Sequence, residues 1–405
     1  MAYTIINGFE TGSVYSDVGQ VDIWTGAAVS VVTTPIRTGT GTYALKTSAT
    51  SGTDAWSFVT LRSKNAGGTF RTTEVLCARC YFYIETMPNF SGSFRTIFNT
   101  FDGSSGTSVL LRPDTGTLQI ATAAGTSRVD SAAGVVTTGQ WYKLSFDASG
   151  GTRTLYLDDV QIAQSTGGVS AAASERIEVG YDCWKTGASG ATVTFSFLWD
   201  DVITSNSSFG GPGPSSGCKL LLPAADPGAL NSWTNGGGGT TSIFEGVNNR
   251  PPTGAAAATN GIKIKNAGST ANLDYVATMQ TYTAGGIPAG ATINAVMPIC
   301  VDGEEVTTGT KTGNIWCASN PSQTAGGNSF DYGDDLGALG TFPTLWMPHY
   351  GPASTSPSVT FGTAPTVTVR KTAATTRVVD VTLLGLYVDY TPAAPAGTTQ
   401  MGMII

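Results

Sequence analysis

The chain has 405 residues, enough for two or three domains with a hydrophobic core each. Charged residues make up 12% of it, against a usual share of about 25%, and the net charge is −7. The sequence has no run of basic residues, which argues against binding to nucleic-acid phosphates, and no apolar stretch near the roughly 18 residues that span a bilayer. A hydrophobic content of 40% argues against disorder. Because no helical periodicity persists beyond two turns, we predict an all-β protein.

The N-terminal segment MAYTIINGFETG lacks the two features of a secretory signal, a basic start and a long apolar core. The sequence therefore predicts a protein that is made in the cytoplasm without a signal peptide. It would then leave the cell by a route other than signal-directed secretion.

Two of the six cysteines, Cys77 and Cys80, form a C-x-x-C motif inside the apolar run VLCARCYFYI. Residues three apart on a strand point to opposite faces, so this pair cannot easily share a zinc ion, and no second C-x-x-C or histidine pair completes a site. Buried free thiols are the expected state. Cys300 and Cys317 could meet across a hairpin, but synthesis in the cytoplasm favours reduced thiols there as well.

The stretch from Gly139 to Thr204 has a clear strand pattern. Residues 141–147 alternate apolar and polar side chains, which is the signature of a half-buried strand. A turn at residues 149–151, a second strand and a tight turn at Asp158-Asp159 follow. The stretch ends in a strand whose predicted apolar face consists of Val193, Phe195, Phe197 and Trp199.

A Trp-led strand, a hairpin, an Ile-x-Val-Gly strand and an aromatic strand ending in Asp-Asp-Val resemble the second half of a laminin-G-like or concanavalin-A-like jelly roll. The start agrees, because many such domains begin like Phe9-Glu10-Thr11-Gly12, Trp24 and the run GTGTYALK at 39–46. The resemblance covers about residues 1–205 and implies a carbohydrate-binding or adhesive module. It also implies that the first strand closes against the last, which would pair residues 3–10 with residues 192–203.

The composition then divides the chain. After a first domain at residues 1–204, residues 205–217 (SNSSFGGPGPSSG) have the Gly, Pro and Ser content of a linker. A second β-sandwich is predicted for residues 218–392, because its closing strand GLYVDYTP has apolar residues on both faces, as in a central strand. A Pro/Ala/Gly-rich tail at residues 393–405 either docks on a neighbouring subunit or frays.

The second part of the chain carries a resemblance of its own. An early Trp, the strand Ala-Thr-Ile-Asn-Ala-Val and the closing GLYVDYTP resemble structural proteins of tailed-phage virions. Pro298 interrupts the alternation of the strand near 293–301, which predicts an edge strand or a bulge there.

No catalytic residue is predicted. The single histidine, His349, has no nucleophile elbow such as G-x-S-x-G to serve, so a loop or packing role is expected for it. Glycoside hydrolysis needs two carboxylates beside the bond, and the E-x-D-x-E triple of concanavalin-A-like glucanases is absent. Asp158-Asp159 is a poor acid/base pair, because it lies in a turn and adjacent strand residues face opposite sides.

Sugar recognition uses exposed aromatic rings with polar neighbours. The sequence offers Trp184 beside Tyr181 and Asp182 in GYDCWKTG, and also Trp24 and Trp56 near predicted loops. These five residues are the candidate ligand-binding set. The alternative for Trp184 is packing in a core or at a subunit interface.

A calcium ion is the one cofactor that the sequence suggests. Asp331, Asp334 and Asp335 cluster in the Gly-rich segment DYGDD, and hard-cation coordination suits such carboxylates. Solvated loop carboxylates are the alternative.

Together these features predict a non-enzymatic structural protein of a tailed-phage virion: capsid decoration, a head fibre or a tail-associated adhesin. It would be made in the host cytoplasm and displayed on the virion surface, with other virion proteins and its own copies, as a trimer, for partners. Weak binding of a host glycan is a further expectation, whereas nucleic acid and membrane are not expected partners. The alternatives are a carbohydrate-active enzyme of the depolymerase or glucanase type and a bacterial surface adhesin.

Overall fold

In the computed structural model of the protein, every regular element of the described residues is a β-strand, which confirms the predicted all-β class. None of these residues forms a helix long and apolar enough to cross a membrane. The structure describes residues 3–11, 20–23, 27–37, 41–51, 55–61, 73–89, 92–101, 106–122, 127–149, 151–166, 173–174, 176–183, 192–225, 233–235, 264–266, 272–303, 312–319, 322–323, 328–331, 347–351, 353–355, 357–372 and 379–393.

The first sandwich takes up the N-terminal half of the chain. Its described strands are β1 (Tyr3–Asn7), β2 (Gln20–Ile23), β3 (Ala27–Val32), β4 (Ala44–Ser51), β5 (Ala55–Leu61), β6 (Thr73–Glu74), β7 (Cys77–Thr86), β8 (Arg95–Phe101), β9 (Thr107–Arg112), β10 (Thr117–Thr122), β11 (Arg128–Asp130), β12 (Trp141–Asp147), β13 (Thr152–Leu157), β14 (Val160–Thr166), β15 (Ala173–Ser174), β16 (Arg176–Cys183) and β17 (Val193–Ser205).

Two antiparallel sheets of these strands face each other. The eight-stranded sheet has the order β14-β13-β12-β7-β17-β4-β3, with β1 paired to β17, and the seven-stranded sheet has the order β11-β10-β9-β8-β16-β5-β2. The short strands β6 and β15 pair with each other. Apolar side chains from both sheets form one core, which includes Phe82, Val109, Val179, Phe197 and Trp199. The alternation of apolar and polar residues along each strand therefore determines which of its faces is buried.

The first strand closes against the last, as the resemblance implied. Tyr3 pairs with Ser205 and Asn7 with Val202. On β17, the pairing with β4 ends at Trp199, and β1 continues along the same edge from Val202. The ladder to β7 is irregular between these two partners, and Asp201 there has a φ of 49°.

The tight turn at Asp158-Asp159 is confirmed as well. It joins β13 to β14 in a two-residue hairpin, with Leu157 paired to Val160. Both aspartates have positive φ, 49° and 70°, as a type I′ turn requires. The backbone N–H of Lys143 donates to Asp158 Oδ1 (2.8 Å), which ties the turn to the neighbouring strand β12.

The second sandwich follows residue 216. Its described strands are β18 (Gly217–Leu221), β19 (Pro223–Ala225), β20 (Trp233–Asn235), β21 (Ile264–Asn266), β22 (Leu273–Met279), β23 (Thr292–Gly303), β24 (Thr312–Ser319), β25 (Asn328–Asp331), β26 (Met347–Tyr350), β27 (Ser354–Thr355), β28 (Thr366–Lys371) and β29 (Val379–Thr391).

The long strand β29 is central in this second sandwich, as its two apolar faces predict. It pairs with β18 and β21 along one edge and with β23 along the other, in a sheet completed by β20, β26 and β27. A five-stranded sheet of order β19-β22-β28-β24-β25 lies opposite. The core between them includes Trp233, Tyr275, Val296, Val369 and Leu384.

Pro298 lies at neither an edge nor a bulge, so that prediction is wrong. Strand β23 has β29 on one side and the short strands β26 and β27 on the other, and its irregularities fall elsewhere. The C=O of Pro298 accepts the N–H of Gly351 (2.7 Å), which lies between β26 and β27. The N–H and C=O of one strand residue point to the same side of the strand. Proline has no N–H, and at Pro298 this side faces the gap between β26 and β27, where the ladder of hydrogen bonds is interrupted.

The described cysteines are buried free thiols, as predicted: Cys77, Cys80, Cys218, Cys300 and Cys317. The strand register pairs Cys300 with His349 and Cys317 with Val367, so the two do not meet across a hairpin. Burial raises the pKa of the Cys80 thiol to about 12, which keeps it protonated and unreactive.

Candidate functional site

The outer sides of the two sheets of the first sandwich differ in what covers them. We call the outer side of the eight-stranded sheet the covered face, because residues 206–216, the connecting segment, lie on it. Lys143 Nζ donates to the C=O of Gly213 (2.8 Å) and to Ser215 Oγ (2.6 Å). The N–H of Gly213 donates to Ser145 Oγ (3.2 Å). The polar side chains of β12 are therefore buried beneath the connecting segment.

The second sandwich packs against the same region. Ile6 and Ile203 of the first sandwich contact an apolar cluster of the second, so that the edge made by β1 and β17 is no longer open to water. The other buried members of this cluster are Cys218, Leu220, Leu222, Ala295, Met297, Ile299, Val301, Leu383 and Tyr387. This contact joins the two sandwiches by apolar burial, which is the main favourable term in such interfaces.

A buried ion pair crosses the interface. Arg79 on β7 is fully buried and lies 3.3 Å from Asp389 Oδ1 on β29. It also donates to Ser216 Oγ (2.5 Å) and to the C=O of Asp201 (2.8 Å). Burial lowers the pKa of Arg79, but Asp389, Tyr81, Cys218 and Asp201 together outweigh that effect, so the net pKa is raised. Arg79 therefore stays charged and links three parts of the chain.

A second arginine neutralises the acidic end of β17. Arg37 forms a salt bridge with the buried Asp201 and donates to the C=O of Ser216 (2.7 Å). Its guanidinium also lies 3.6 Å from the ring centroid of Tyr81, a cation–π distance. Asp201 in turn accepts the N–H of Cys218 (2.8 Å), the second residue of β18. These contacts hold the start of the second sandwich against the first.

The carboxylates of the interface are closed to substrate. Glu10, Asp200, Asp201 and Asp389 are each at most 1% exposed. Burial of a charge is stabilising only when it is paired, and removal of one partner is strongly destabilising. This acidic group therefore serves the junction of the sandwiches and cannot act on a soluble ligand.

We call the outer side of the seven-stranded sheet the open face, because its polar side chains Asn99 and Glu178 are half-buried, while Ser108 beside them is 7% exposed. The amide Nδ2 of Asn99 donates to Glu178 Oε2 (3.1 Å), and Asn99 Oδ1 accepts from Ser108 Oγ (2.8 Å). The three residues lie opposite one another on β16, β8 and β9. The hydrogen bonds fix the orientation of the amide and leave a row of polar groups across the sheet.

An aromatic ring lies next to this row. Phe58 on β5 is paired with Gly180 on β16 and is half-buried. A Cβ atom at Gly180 would lie 2.9 Å from Phe58 Cδ1 and 2.0 Å from the C=O of Ser57, so only glycine permits this approach. Glu178 is two residues from Gly180 along β16, a distance of about 6.7 Å. A ring with carboxylate and amide groups beside it is the composition of a sugar-binding surface.

The predicted ligand residue Tyr181 requires a correction. Its side chain is fully buried in the core, and its ring stacks on Phe197 (centroids 5.4 Å apart) and contacts Phe195 (4.8 Å). The segment GYDCWKTG begins as strand, since β16 extends to Cys183. Tyr181 therefore falls on the inward face, next to Gly180 on the outward one, and cannot stack on a sugar.

Two other candidates are brought together. Asp182 pairs directly with Trp56 across β16 and β5, at the position two residues beyond the Gly180–Phe58 pair. Their side chains, and all of Trp24 and Trp184, lie outside the described residues. The four remain predictions.

The predicted calcium ligands are described only in part. Asp331 ends strand β25, while Asp334 and Asp335 lie outside the described residues. Within the described part of the chain, no three His, Cys, Asp or Glu side chains are grouped so as to hold a metal ion. The calcium site remains a prediction. His349, for which a loop or packing role was expected, lies in strand β26.

Phe58, Asn99, Ser108 and Glu178 were not among the ligand-binding candidates that the sequence predicted. Gly180 was an available signal, because a glycine inside a strand often marks a close approach of another group. The pairing of β16 with β5 and β8 could not be read, however, since these strands are about 80 to 120 residues apart in sequence.

No known protein family matches the sequence, and no curated protein does. Solved structures with similar architecture include β-sandwich carbohydrate-binding and lectin-like domains, and also an alginate lyase and a sialidase. The cellulose-induced protein Cip1 aligns at 13% identity over 50% of this chain and 97% of its own, with a TM-score of 0.37. Domain 4 of the extracellular arabinanase AbnA from Geobacillus stearothermophilus, solved with arabinotriose, aligns at 15% identity over 51% and 95%, with a TM-score of 0.31.

The carbohydrate-binding module CBM66 from Bacillus subtilis aligns at 12% identity over 45% of this chain and 96% of its own, with a TM-score of 0.25. These similarities concern the sandwich architecture.

Proposed function

We propose that this protein is a non-catalytic glycan-binding attachment protein, and that it is a structural component displayed on the surface of a tailed-phage virion. The glycan-binding part rests on one observation, the ring of Phe58 over Gly180 beside the hydrogen-bonded row of Glu178, Asn99 and Ser108. A pyranose would stack its apolar C–H face on the ring. Its hydroxyls would donate to the Glu178 carboxylate and accept from the Asn99 amide.

The non-catalytic part is supported by the spacing of the carboxylates. Hydrolysis of a glycosidic bond uses two carboxyl groups about 5–10 Å apart. Among the described side chains of the open face, the carboxylates are Glu178 and Asp130, on strands four positions apart in the sheet, or roughly 19 Å. The buried acids of the interface are closed to a polysaccharide.

The virion part is supported by the sequence resemblance of the second sandwich and by the joining of the two sandwiches through buried ion pairs. A fixed junction suits a protein that attaches by one sandwich and presents the other outward. Copies at symmetric sites would form a homo-oligomer, for which we propose a trimer.

Glycan binding is tested by applying the full chain to an array of bacterial surface polysaccharides and repeating the measurement with Phe58→Ala. We expect binding that the variant loses at least tenfold, whereas Val160→Ala, at an exposed apolar position of the other sheet, keeps it. Equal binding by both variants would place the site elsewhere. Release of reducing ends from a bound polysaccharide would overturn the non-catalytic part.

The virion part needs its own experiment. Purified phage particles from a lysate that contains this protein are labelled with antibodies and viewed by electron microscopy. Label at symmetric positions on the head or tail is expected. Protein that remains in the soluble fraction, with unlabelled particles, would favour a secreted or cell-surface adhesin instead.

A further inference from the structure

Two carboxyl groups of the interface, those of Asp200 and Asp389, each have an oxygen that is buried without a hydrogen-bond partner among the described residues. Asp389 is paired with Arg79, whereas Asp200 has no salt bridge among the described residues. Asp200 on β17 is fully buried. Its Oδ1 accepts the N–H of Asp201 (2.7 Å), but its Oδ2 is buried without a hydrogen-bond partner among the described residues. Burying an ionised oxygen without a hydrogen-bond partner costs several kcal/mol. At such a cost a carboxyl group takes up a proton instead of remaining ionised.

The surrounding charges point the same way. The interface buries four acids and Arg79 and partly buries Arg37, and both arginines are engaged elsewhere: Arg37 with Asp201, and Arg79 with Asp389. The charged and titratable groups around Asp200 come from every element that packs on it, namely Asp201 on β17, Glu10 after β1, Arg37 after β3, Arg79 and Tyr81 on β7, Cys218 on β18 and Asp389 on β29.

We infer that Asp200 is a protonated carboxylic acid in the folded protein, and that its proton keeps the interface between the two sandwiches closed. In its neutral form Asp200 adds no negative charge to an interface in which the acids outnumber the arginines. Ionisation of Asp200 would place a third carboxylate beside Asp201 and Glu10 in a region without water. Opening of the interface, which hydrates the group, relieves that repulsion.

The ionisation behaviour is consistent with this assignment. Burial raises the pKa of Asp200 well above its ordinary value, Asp201 raises it further, Arg37 opposes this, and Glu10 adds to the increase. The folded protein therefore holds a proton that the opened protein releases. The closed interface is most stable below the ordinary aspartate pKa of about 3.9 and loses stability as pH rises towards the raised value.

The experiment compares the unfolding of wild type and Asp200→Asn by denaturant from about pH 5 to pH 8. Asparagine keeps the acceptor for the Asp201 N–H and cannot ionise. We expect the equilibrium constant for unfolding of the wild type, divided by that of the variant, to rise by up to tenfold for each pH unit. This corresponds to about 1.4 kcal/mol per pH unit. The same pH dependence in both proteins would overturn the inference. Asp389 contributes equally to both and cancels in the comparison.

Hydrogen exchange locates the effect. The N–H of Cys218, bonded to Asp201 Oδ1, should lose protection in the wild type as pH rises, and keep it in the variant. The N–H of Ala148, bonded to the C=O of Leu76 within the first sandwich, is the control and should not differ between the two proteins. Equal loss at both amides would mean global unfolding and no proton-dependent interface.

If Asp200→Asn does not fold, the wild type alone still tests the inference, because it must then contain a protonated aspartate. A protonated carboxyl group has an infrared C=O stretch distinct from that of a carboxylate. We expect such a band at neutral pH, with a frequency shift in protein labelled at aspartate. Its absence at neutral pH would overturn the inference.

Discussion

The covered and open faces of the first sandwich are built alike and used differently. Each is the outer side of a large antiparallel sheet, and each carries polar side chains at alternate positions. On the covered face, Arg79 and Lys143 are buried under the connecting segment and the second sandwich. On the open face, Asn99 and Glu178 remain half-exposed. The alternation of a strand thus says which residues leave the core, but not whether water or another part of the chain receives them.

The same chemistry has opposite energetic roles on the two faces. Hydrogen bonds of buried polar groups must all be satisfied within the protein, so loss of one partner is costly. Half-exposed groups exchange bonds with water at little net cost, which leaves them available for a ligand. Substitutions on the covered face should therefore affect folding, and those on the open face should affect binding.

The largest expected effect belongs to Arg79. Arg79→Met leaves Asp389 buried without its partner, so the free energy of unfolding should fall by about 3–5 kcal/mol in denaturant titrations. Arg112→Met is the matched control, because Arg112 pairs with Asp114 on the surface, and we expect little change for it. Similar losses for both variants would contradict the distinction between the faces.

Lys143 should have a smaller but local effect. Lys143→Met removes the hydrogen bonds to Gly213 and Ser215 and the salt bridge to Asp159, and should cost about 1–3 kcal/mol. Limited proteolysis should cut the connecting segment sooner than in the wild type. Lys46→Met, which breaks the more exposed pair with Glu85, should leave the cleavage rate unchanged. An intact connecting segment in Lys143→Met would show that its other contacts, such as the hydrogen bonds to Ser145 and from Arg79, are enough to hold it.

On the open face, a substitution should reduce the affinity for a glycan and leave the stability of the protein nearly unchanged. Asn99→Ala should weaken the affinity for the polysaccharide that the wild type binds by about tenfold, or 1.4 kcal/mol. The free energy of unfolding should change by less than about 0.5 kcal/mol. Gln164→Ala removes a hydrogen-bonded amide from the other sheet and serves as the control for binding. Titration calorimetry measures the affinity. A loss of stability without a loss of affinity would assign Asn99 to the fold.

The smallest effect is expected at Glu85. Hydrogen bonds from Lys46 and Ser196 lower the pKa of Glu85, so its contribution to stability is present above the ordinary glutamate pKa and is lost as pH falls through the lowered value. Because the side chain is partly exposed, water and salt reduce this contribution to below about 0.5 kcal/mol. Denaturation of Glu85→Gln and wild type at acidic pH should converge. A wild-type protein that remained more stable in acid would contradict the assignment.

Local patterns were enough to predict the strands but not their surroundings. The alternation in residues 141–147 and the turn at Asp158-Asp159 follow from backbone geometry and turn chemistry, which act over a few residues. The burial of Lys143 could not be predicted, because its partner Gly213 lies 70 residues further along the chain. Tyr181 was misplaced for a similar reason: a single residue of register decides between the core and the outer face.

The position of β29 has a consequence for the order in which the chain folds. This strand is the last one described, yet it pairs with β18, β21 and β23, so the larger sheet of the second sandwich cannot assemble until residues 379–391 have been synthesised. Arg79 is synthesised 310 residues before its partner Asp389, so their ion pair also forms only after β29 has been made. Pairings at such separation form slowly and leave apolar surface exposed meanwhile. The first sandwich therefore completes early, while the part of its covered face that the second sandwich buries is still exposed. A chain released before β29 is made would present that surface to aggregation.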